Sequence, residues 1–262
     1  MAVPIINLKD ASIAYDVEGN GPWLVTLHEI GGTRESWAVV SSILAKRFKV
    51  LRYDQRGCGD SSKISGAFRM ETHVSDLRAL LDKLGIQQAH VAGVALGAAL
   101  AACFATEAMR RVQSLVLACP APGVDADRVK YLEQRAAAVE KEGMSATAEN
   151  SLANSYPPEV RRDPATFESY QSRFLANDPK SYAEINRAFP AFNVTADLGR
   201  LRCPTLVLAG RHDKLRPPRF VRDVADSIPG ALYQEIDSGH VMPVKAPVEM
   251  AAAMLPFMTN LQ

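Results

Sequence analysis

The sequence predicts an α/β protein: a mostly parallel sheet of eight strands, flanking helices, and an inserted helical cap. Three observations predict it. Short apolar runs alternate with segments of helical periodicity through the first half of the chain, the pattern of a parallel sheet with helical crossovers. That alternation breaks between Pro120 and Arg202, where proline-punctuated helical segments replace strands, and it resumes at Pro204. Residues 88–103 compress a short strand, a glycine-flanked turn and a helix of small apolar residues into one unit.

Taken in order, Ile5–Leu8 and Ser12–Val17 are polar enough to form an antiparallel hairpin at one edge, joined through Lys9, Asp10 and Ala11. Trp23–Leu27, Phe48–Tyr53, His90–Ala92 and Ser114–Leu117 are short apolar runs, as strands covered on both faces should be. Thr205–Leu208 and Leu232–Ile236 complete the eight. Helices are predicted over Trp37–Ala45, Glu71–Leu84, Leu96–Thr106, Arg219–Ser227 and Val248–Asn260. In Glu71–Leu84 the apolar residues Val74, Leu77, Leu80, Leu81 and Leu84 recur at helical spacing, and Gly85 follows as a stop.

The insertion begins with a helix over Asp125–Glu142 and continues in shorter pieces interrupted by Pro157, Pro158, Pro164, Pro179 and Pro190. The expected organisation is therefore a core of residues 1–120 and 203–262 with a lid of residues 121–202. Such a lid would cover the carboxyl edge of the sheet, where open α/β sheets bind ligands.

Composition narrows the function. The chain has 262 residues, 47% of them apolar and 23% charged, which fits one globular domain with an insertion. Its 30 basic and 29 acidic residues are interspersed and leave a net charge of +1, so neither nucleic acid nor an anionic membrane is an expected partner. Val91–Ala105, the longest uncharged apolar run, is shorter than the ~20 residues that span a bilayer. The amino terminus lacks a cationic stretch followed by an apolar core, so a cytoplasmic protein is expected. Cys58, Cys103, Cys119 and Cys203 are too scattered for a zinc or redox pair and are expected to be reduced. No metal or organic cofactor is called for. A small molecule is the expected partner. A homodimer stays open, because an apolar lid face and a dimer face read alike.

The chemistry concentrates at strand ends. Gly93-Val94-Ala95-Leu96-Gly97 has the form of G-x-S-x-G, in which a sharp turn thrusts its middle residue out for attack. Here that residue is Ala95, which cannot attack. His28-Glu29-Ile30-Gly31-Gly32 follows the third strand and Tyr53-Asp54-Gln55-Arg56-Gly57 the fourth. Gly210-Arg211-His212-Asp213 follows the seventh strand, and Asp237-Ser238-Gly239-His240 the eighth.

Together these segments resemble the α/β-hydrolase superfamily over nearly the whole chain. The likeness is to small hydrolases with a helical cap, such as the 3-oxoadipate enol-lactonases and related ring-cleavage and amide hydrolases. The order elbow, Asp, His is that superfamily's triad order. The resemblance implies that Asp213 is the acid and His240 the base, with Ala95 at the nucleophile position. It also implies an oxyanion hole from the backbone N–H groups of Ile30 and Leu96, with His28 and Val94 beside the substrate. Backbone donors survive a change of side chain, so the hole can persist without a serine. The aminoacrylate hydrolases of pyrimidine breakdown are similar at Ala95-Leu96-Gly97 and at the Tyr53–Gly57 turn, but the His28-Glu29 loop departs from theirs.

Two positions depart from the superfamily pattern. Ala95 removes acyl-enzyme chemistry. Glu29 stands where glycine is usual; it could act as a general base, hold a cationic group or tune His240, or it could point outward and pair with Arg34 or Arg56. The leading expectation is a hydrolase-like enzyme of a small carboxylate- or amide-bearing substrate. His240, held by Asp213, would activate water or abstract a proton with Glu29 assisting. Three alternatives are a serine hydrolase whose nucleophile Ala95 has replaced, a non-catalytic ligand receptor, and a lyase or cofactor-free oxygenase. Arg128, Lys130, Arg135, Arg161, Arg162, Arg173 and Arg187 of the lid are candidates to meet a substrate carboxylate. The Tyr53–Gly57 turn is expected to order the loop beneath the site, and Cys58 is not expected to react.

Overall fold

Eight strands form one sheet in the order β1-β2-β4-β3-β5-β6-β7-β8 in the structure, a computed structural model describing residues 3–161 and 163–260. The strands are β1 (Ile5–Asn7), β2 (Ser12–Glu18), β3 (Trp23–Leu27), β4 (Lys49–Tyr53), β5 (Ala89–Val94), β6 (Val112–Ala118), β7 (Thr205–Gly210) and β8 (Leu232–Ile236). β1 and β2 pair antiparallel and β2 joins β4 antiparallel. Every pairing from β4 through β3, β5, β6 and β7 to β8 is parallel. The carboxyl ends of those six strands therefore share one edge.

The helices of the sheet layers are α1 (Ala38–Leu44), α2 (Glu71–Lys83), α3 (Leu96–Glu107), α8 (Pro218–Asp226), α9 (Met242–Lys245) and α10 (Pro247–Thr259). α1 is shorter than expected because Arg34–Trp37 takes a 3-10 turn first, started by Thr33, whose hydroxyl accepts from the Glu35 N–H. The periodicity did not predict α9, which is only a single turn.

Why the central strands read as continuous apolar runs is visible in their neighbours. In β5, Val91 packs into the cluster with Leu77, Leu80 and Leu100, while Ala92 and Val94 face Trp37, Leu44, Met250 and Met254. β7 repeats this: Val207 and Ala209 face one layer, Leu206 and Leu208 the other. Each buried leucine or valine contributes roughly 1.5–3 kcal/mol. A polar residue on either face would be buried, so strict alternation of polar and apolar is lost.

Between β6 and β7 the chain is helical: α4 (Ala126–Glu142), α5 (Ser145–Ser155), α6 (Pro164–Leu175) and α7 (Pro179–Ala188), with short 3-10 turns between and after. Two of the prolines that interrupt the sequence pattern open helices of the insertion. Pro164 and Pro179 occupy the first turn, where a missing N–H costs nothing. Asp125, Asp163 and Asp178 cap α4, α6 and α7 by accepting backbone N–H groups, each contributing about 1 kcal/mol. The insertion has its own core of Val139, Leu152, Tyr156, Tyr170, Phe174 and Tyr182, which meets the sheet domain at Val241.

Candidate active site

The elbow sits where β5 turns into α3. Ala95 holds φ 54° and ψ −115°, a left-handed conformation that costs a side-chain-bearing residue about 1–3 kcal/mol. Its neighbours over-determine it: the Ala95 N–H donates to Ala118 O at 3.0 Å, and its carbonyl accepts from the N–H groups of Ala98 and Ala121 at 3.2 Å. The flanking glycines allow strand and helix to meet. A Cβ on Gly93 would lie 2.2 Å from Gly97 O, and one on Gly97 only 2.4 Å from Leu27 O.

His240 and Asp213 come together from the ends of β8 and β7. His240 Nδ1 lies 2.7 Å from Asp213 Oδ2, and both residues are buried. Asp213 Oδ1 accepts from the N–H groups of Leu215 and Arg216 at 2.8 and 2.9 Å. Burial works against the Asp213 charge. The charge and hydrogen bond of His240 and the backbone donor at Arg216 outweigh it and hold the carboxyl below its ordinary range. An ionised carboxylate only accepts, so Nδ1 carries a proton toward Asp213 and Nε2 is the ring nitrogen not engaged by it.

Glu29 lies inside the fold, only 3% exposed. Its Oε1 accepts from Ser36 Oγ and from Tyr170 Oη, both at 2.9 Å, while its Oε2 is buried without a hydrogen-bond partner among the described residues. The outward alternative is excluded: Arg34 pairs with Asp54, Asp16 and Asp60, and Arg56 pairs with Asp76. Gly32 makes room for the inward pose, since a Cβ there would lie 2.4 Å from Glu29 Oε1.

Glu29, Ile30, Ala95, Leu96 and His240 line one cavity, closed from above by residues of α4, α5, α6 and α7. It holds about 70 Å³ of free space; a cavity that takes up benzene holds about 150 Å³. With the lid in this position, the site fits a molecule of a few heavy atoms.

Two expected substrate contacts are not on that wall. Val94 is fully buried among the apolar residues between β5 and α1 and α10, because the residue before the elbow still alternates into the sheet layer. His28 is buried beneath the site. Its Nε2 accepts from the Gln55 N–H at 3.1 Å, which leaves Nδ1 to donate to Glu29 O at 2.8 Å. Gln55 Nε2 in turn donates to His28 O at 2.7 Å. His28 is thus bonded to the backbone at Glu29 and Gln55 and is not among the residues lining the cavity. Asp54 completes this layer by accepting from Arg34 N at 2.7 Å and Asp60 N at 2.9 Å.

Cys119, at the end of β6, is the residue the sequence reading did not connect to the site. It holds φ 45°, and its Sγ lies within 4.8 Å of ligand atoms of Asp213 and His240. Burial, then the neighbouring Asp213 charge, pushes the thiol well above its ordinary range, so it is a neutral neighbour of the dyad. These three are the metal-ligand types that cluster among the described residues, but His240 Nδ1 and Asp213 Oδ2 are already spent on each other. Cys58 is also buried, its pKa pushed up to about 12 by burial and then by Asp54, so it stays a thiol.

A model of the alpha/beta hydrolase fold matches residues 22–247. The chain belongs to this family. Among curated relatives, "Putative carbamate hydrolase RutD" of Azorhizobium caulinodans is 29% identical over 240 residues, 90% of this chain and 91% of that protein. The 3-oxoadipate enol-lactonase 2 of Acinetobacter baylyi is 24% identical, over 94% of each. Among solved structures, a hydrolase from Pseudomonas aeruginosa PA01 is 31% identical with TM-score 0.91, covering 98% of both chains. The enol-lactonase from Burkholderia xenovorans LB400 is 27% identical with TM-score 0.93, covering 98% of this chain and all of that one. These relatives of the α/β-hydrolase chain carry hydrolase or lactonase names, while another, of Mycobacterium tuberculosis and 27% identical over 96% of this chain and 99% of that protein, is named "Putative non-heme bromoperoxidase BpoC". No helix among the described residues is long and apolar enough to cross a membrane.

The lid cations separate cleanly. Arg128 and Arg135 line the cavity, joined by Arg216 from the loop after β7, which the sequence reading missed. Arg187 is tied to Glu133, Glu140 and Glu184. Arg161 donates to Tyr156 O and Arg173 to Ser169 Oγ. Lys130 is exposed, and Arg162 lies outside the described residues.

Proposed function

We propose that this α/β-hydrolase chain is an enzyme that hydrolyses a small activated carbonyl, lactone, imine or enamine compound by direct attack of water, without an acyl-enzyme. The observation that carries this reading is Glu29: a buried carboxylate with one oxygen unpartnered, on the same cavity wall as Ala95 and His240. Burying a charged group without full compensation is costly, and such groups gather at reaction sites.

In this mechanism water occupies the place of the absent serine hydroxyl above the Ala95 methyl. His240 Nε2 takes a proton from that water as its oxygen bonds to the substrate carbon, and Asp213 supports the imidazolium. The electron pair of the broken C=O or C=N π bond moves to the substrate oxygen or nitrogen; an enamine enters this step as its imine tautomer, its β-carbon having first taken a proton. Where that is a carbonyl oxygen, the N–H groups of Ile30 and Leu96 receive the charge, each such donor contributing about 3–4 kcal/mol. The tetrahedral species then expels its leaving group, which takes the proton held by His240. Glu29 Oε2 serves as the second acid–base group, held in place by Ser36 and Tyr170.

A second reading has one observation in its favour. Ala95 holds a strained positive-φ turn, as it would in a serine hydrolase whose nucleophile alone had been replaced. Steady-state turnover of the protein and of Ala95→Ser, on one panel of small esters, enol-lactones, amides and enamines, decides between them. Direct water attack predicts turnover in the alanine protein that falls about 10²–10⁴-fold in Glu29→Gln and in His240→Ala. Activity appearing only in Ala95→Ser, with a burst of product, establishes the second reading.

A further inference from the structure

Three guanidinium groups line the cavity: Arg128 and Arg135 on α4, and Arg216 after β7. Among the described residues none of the three is in an ion pair, although most other arginines of the chain are. Their contacts are with neutral groups. Arg128 lies over the Tyr131 ring at 4.4 Å, and Arg135 over Tyr131 at 5.3 Å and Tyr182 at 5.4 Å. Arg135 donates to Asn186 Oδ1 at 2.8 Å through Nε, and Arg216 donates to Leu215 O at 2.8 Å. Arg216 Nε is buried without a hydrogen-bond partner among the described residues.

The three charges also act on one another. Burial and then the Arg135 charge lower the Arg128 pKa, with Arg216 adding to the effect. Burial likewise lowers that of Arg216, against the opposing pull of Asp213. Gathering like charges in a partly desolvated pocket costs stability, which Asp125 and Asp213 offset in part. Glu29, the carboxylate that lines the cavity among the described residues, has its Oε1 bonded to Ser36 and Tyr170 and is in no ion pair with the three arginines.

We propose that Arg128, Arg135 and Arg216 form a carboxylate-binding subsite, so that the substrate enters as a small carboxylate anion with its reacting carbon toward His240 and Ala95. The planar, rigid donor fork of arginine matches a carboxylate two bonds at a time. The free space of about 70 Å³ favours a small acid. This assignment rests on the cavity being the reaction site, but its recognition step is readable without any turnover.

The test is equilibrium binding of propionate by calorimetry and by shift of the melting temperature, with propionamide as the neutral counterpart and sodium chloride at equal ionic strength as control. Propionate is expected to bind and to raise the melting temperature, while propionamide does neither. Arg128→Gln and Arg216→Gln should weaken propionate binding about ten- to a hundredfold. Arg128→Gln removes a like-charge neighbour of Arg135 and Arg216 and should melt near the temperature of the parent, which separates lost binding from lost folding. Arg187→Gln, whose parent residue is paired on the lid surface, should leave binding unchanged. Equal binding of propionate and propionamide, no propionate binding at millimolar concentration, or parental affinity in both cavity variants overturns the subsite. Arginine-dependent binding without turnover of any small acid derivative would keep the subsite and refute the hydrolytic reading instead.

Discussion

His73 offers a quantitative test of the packing beneath the site. It is buried in α2, both ring nitrogens lack a hydrogen-bond partner among the described residues, and its ring meets Phe68 edge-on at 4.8 Å. Burial, then the charges of His28 and Arg56, lowers its pKa from 6.5 to about 3. The unfolded chain binds this proton below pH 6.5 and the folded chain only below about pH 3. Between those limits the unfolded state holds more protons, so stability rises with pH and is lost as pH falls. From pH 7 to pH 5 the loss from this group is about 2 kcal/mol, at 1.36 kcal/mol per pH unit below the unfolded pKa. His73→Leu keeps an apolar body in the site and removes the titration. Urea unfolding of both proteins at pH 7 and pH 5 isolates the effect, because His90, whose pKa burial lowers to about 4, contributes equally to both. The parent should lose about 2 kcal/mol more than the variant. Equal losses in the two proteins would refute the argument that His73 is held neutral by burial.

Two further outcomes follow from the geometry of the elbow and dyad. Helix propensity alone predicts that Gly97→Ala stabilises α3 by about 1 kcal/mol. The 2.4 Å approach of the new Cβ to Leu27 O reverses the sign, to a net loss of about 1–3 kcal/mol in urea unfolding together with reduced turnover. Asp213→Asn keeps acceptors for the Leu215 and Arg216 N–H groups but presents a donor or neutral acceptor to His240; turnover should fall about 10⁴-fold while the melting temperature shifts little.

The linear pattern carried most of the architecture. Apolar runs such as Val91–Val94 and Leu206–Ala209 are long enough to be strands and too apolar to have a wet face, and they are the buried centre of the sheet. Gly93 and Gly97 located the elbow because close approach of strand and helix leaves no alternative residue. Boundaries slipped where local chemistry competes: Thr33 draws Arg34–Trp37 into a 3-10 turn before α1. Val94 and His28 are off the cavity lining because neighbours along a chain point to opposite sides of a sheet edge. One faces the sheet layer and the other the loop layer below the cavity, even though Ala95 and Glu29 beside them face the cavity itself.

The sequence by itself determined that this is an α/β-hydrolase fold, that alanine stands in the glycine-flanked turn after the fifth strand, and that Asp213 and His240 follow adjacent strands. Those follow from periodicity, residue type and order, which are local properties of a chain. Only the tertiary structure decided that Glu29 turns inward, that Cys119 adjoins the dyad, and that Arg216 joins Arg128 and Arg135. Which of several charged side chains meets another depends on the packing of segments far apart in sequence. Glu29 meets Tyr170 across the lid, and Arg216 reaches the cavity from a loop beyond it. A side chain's reach is a few ångströms, and pattern along the chain does not encode which distant atoms fall within it.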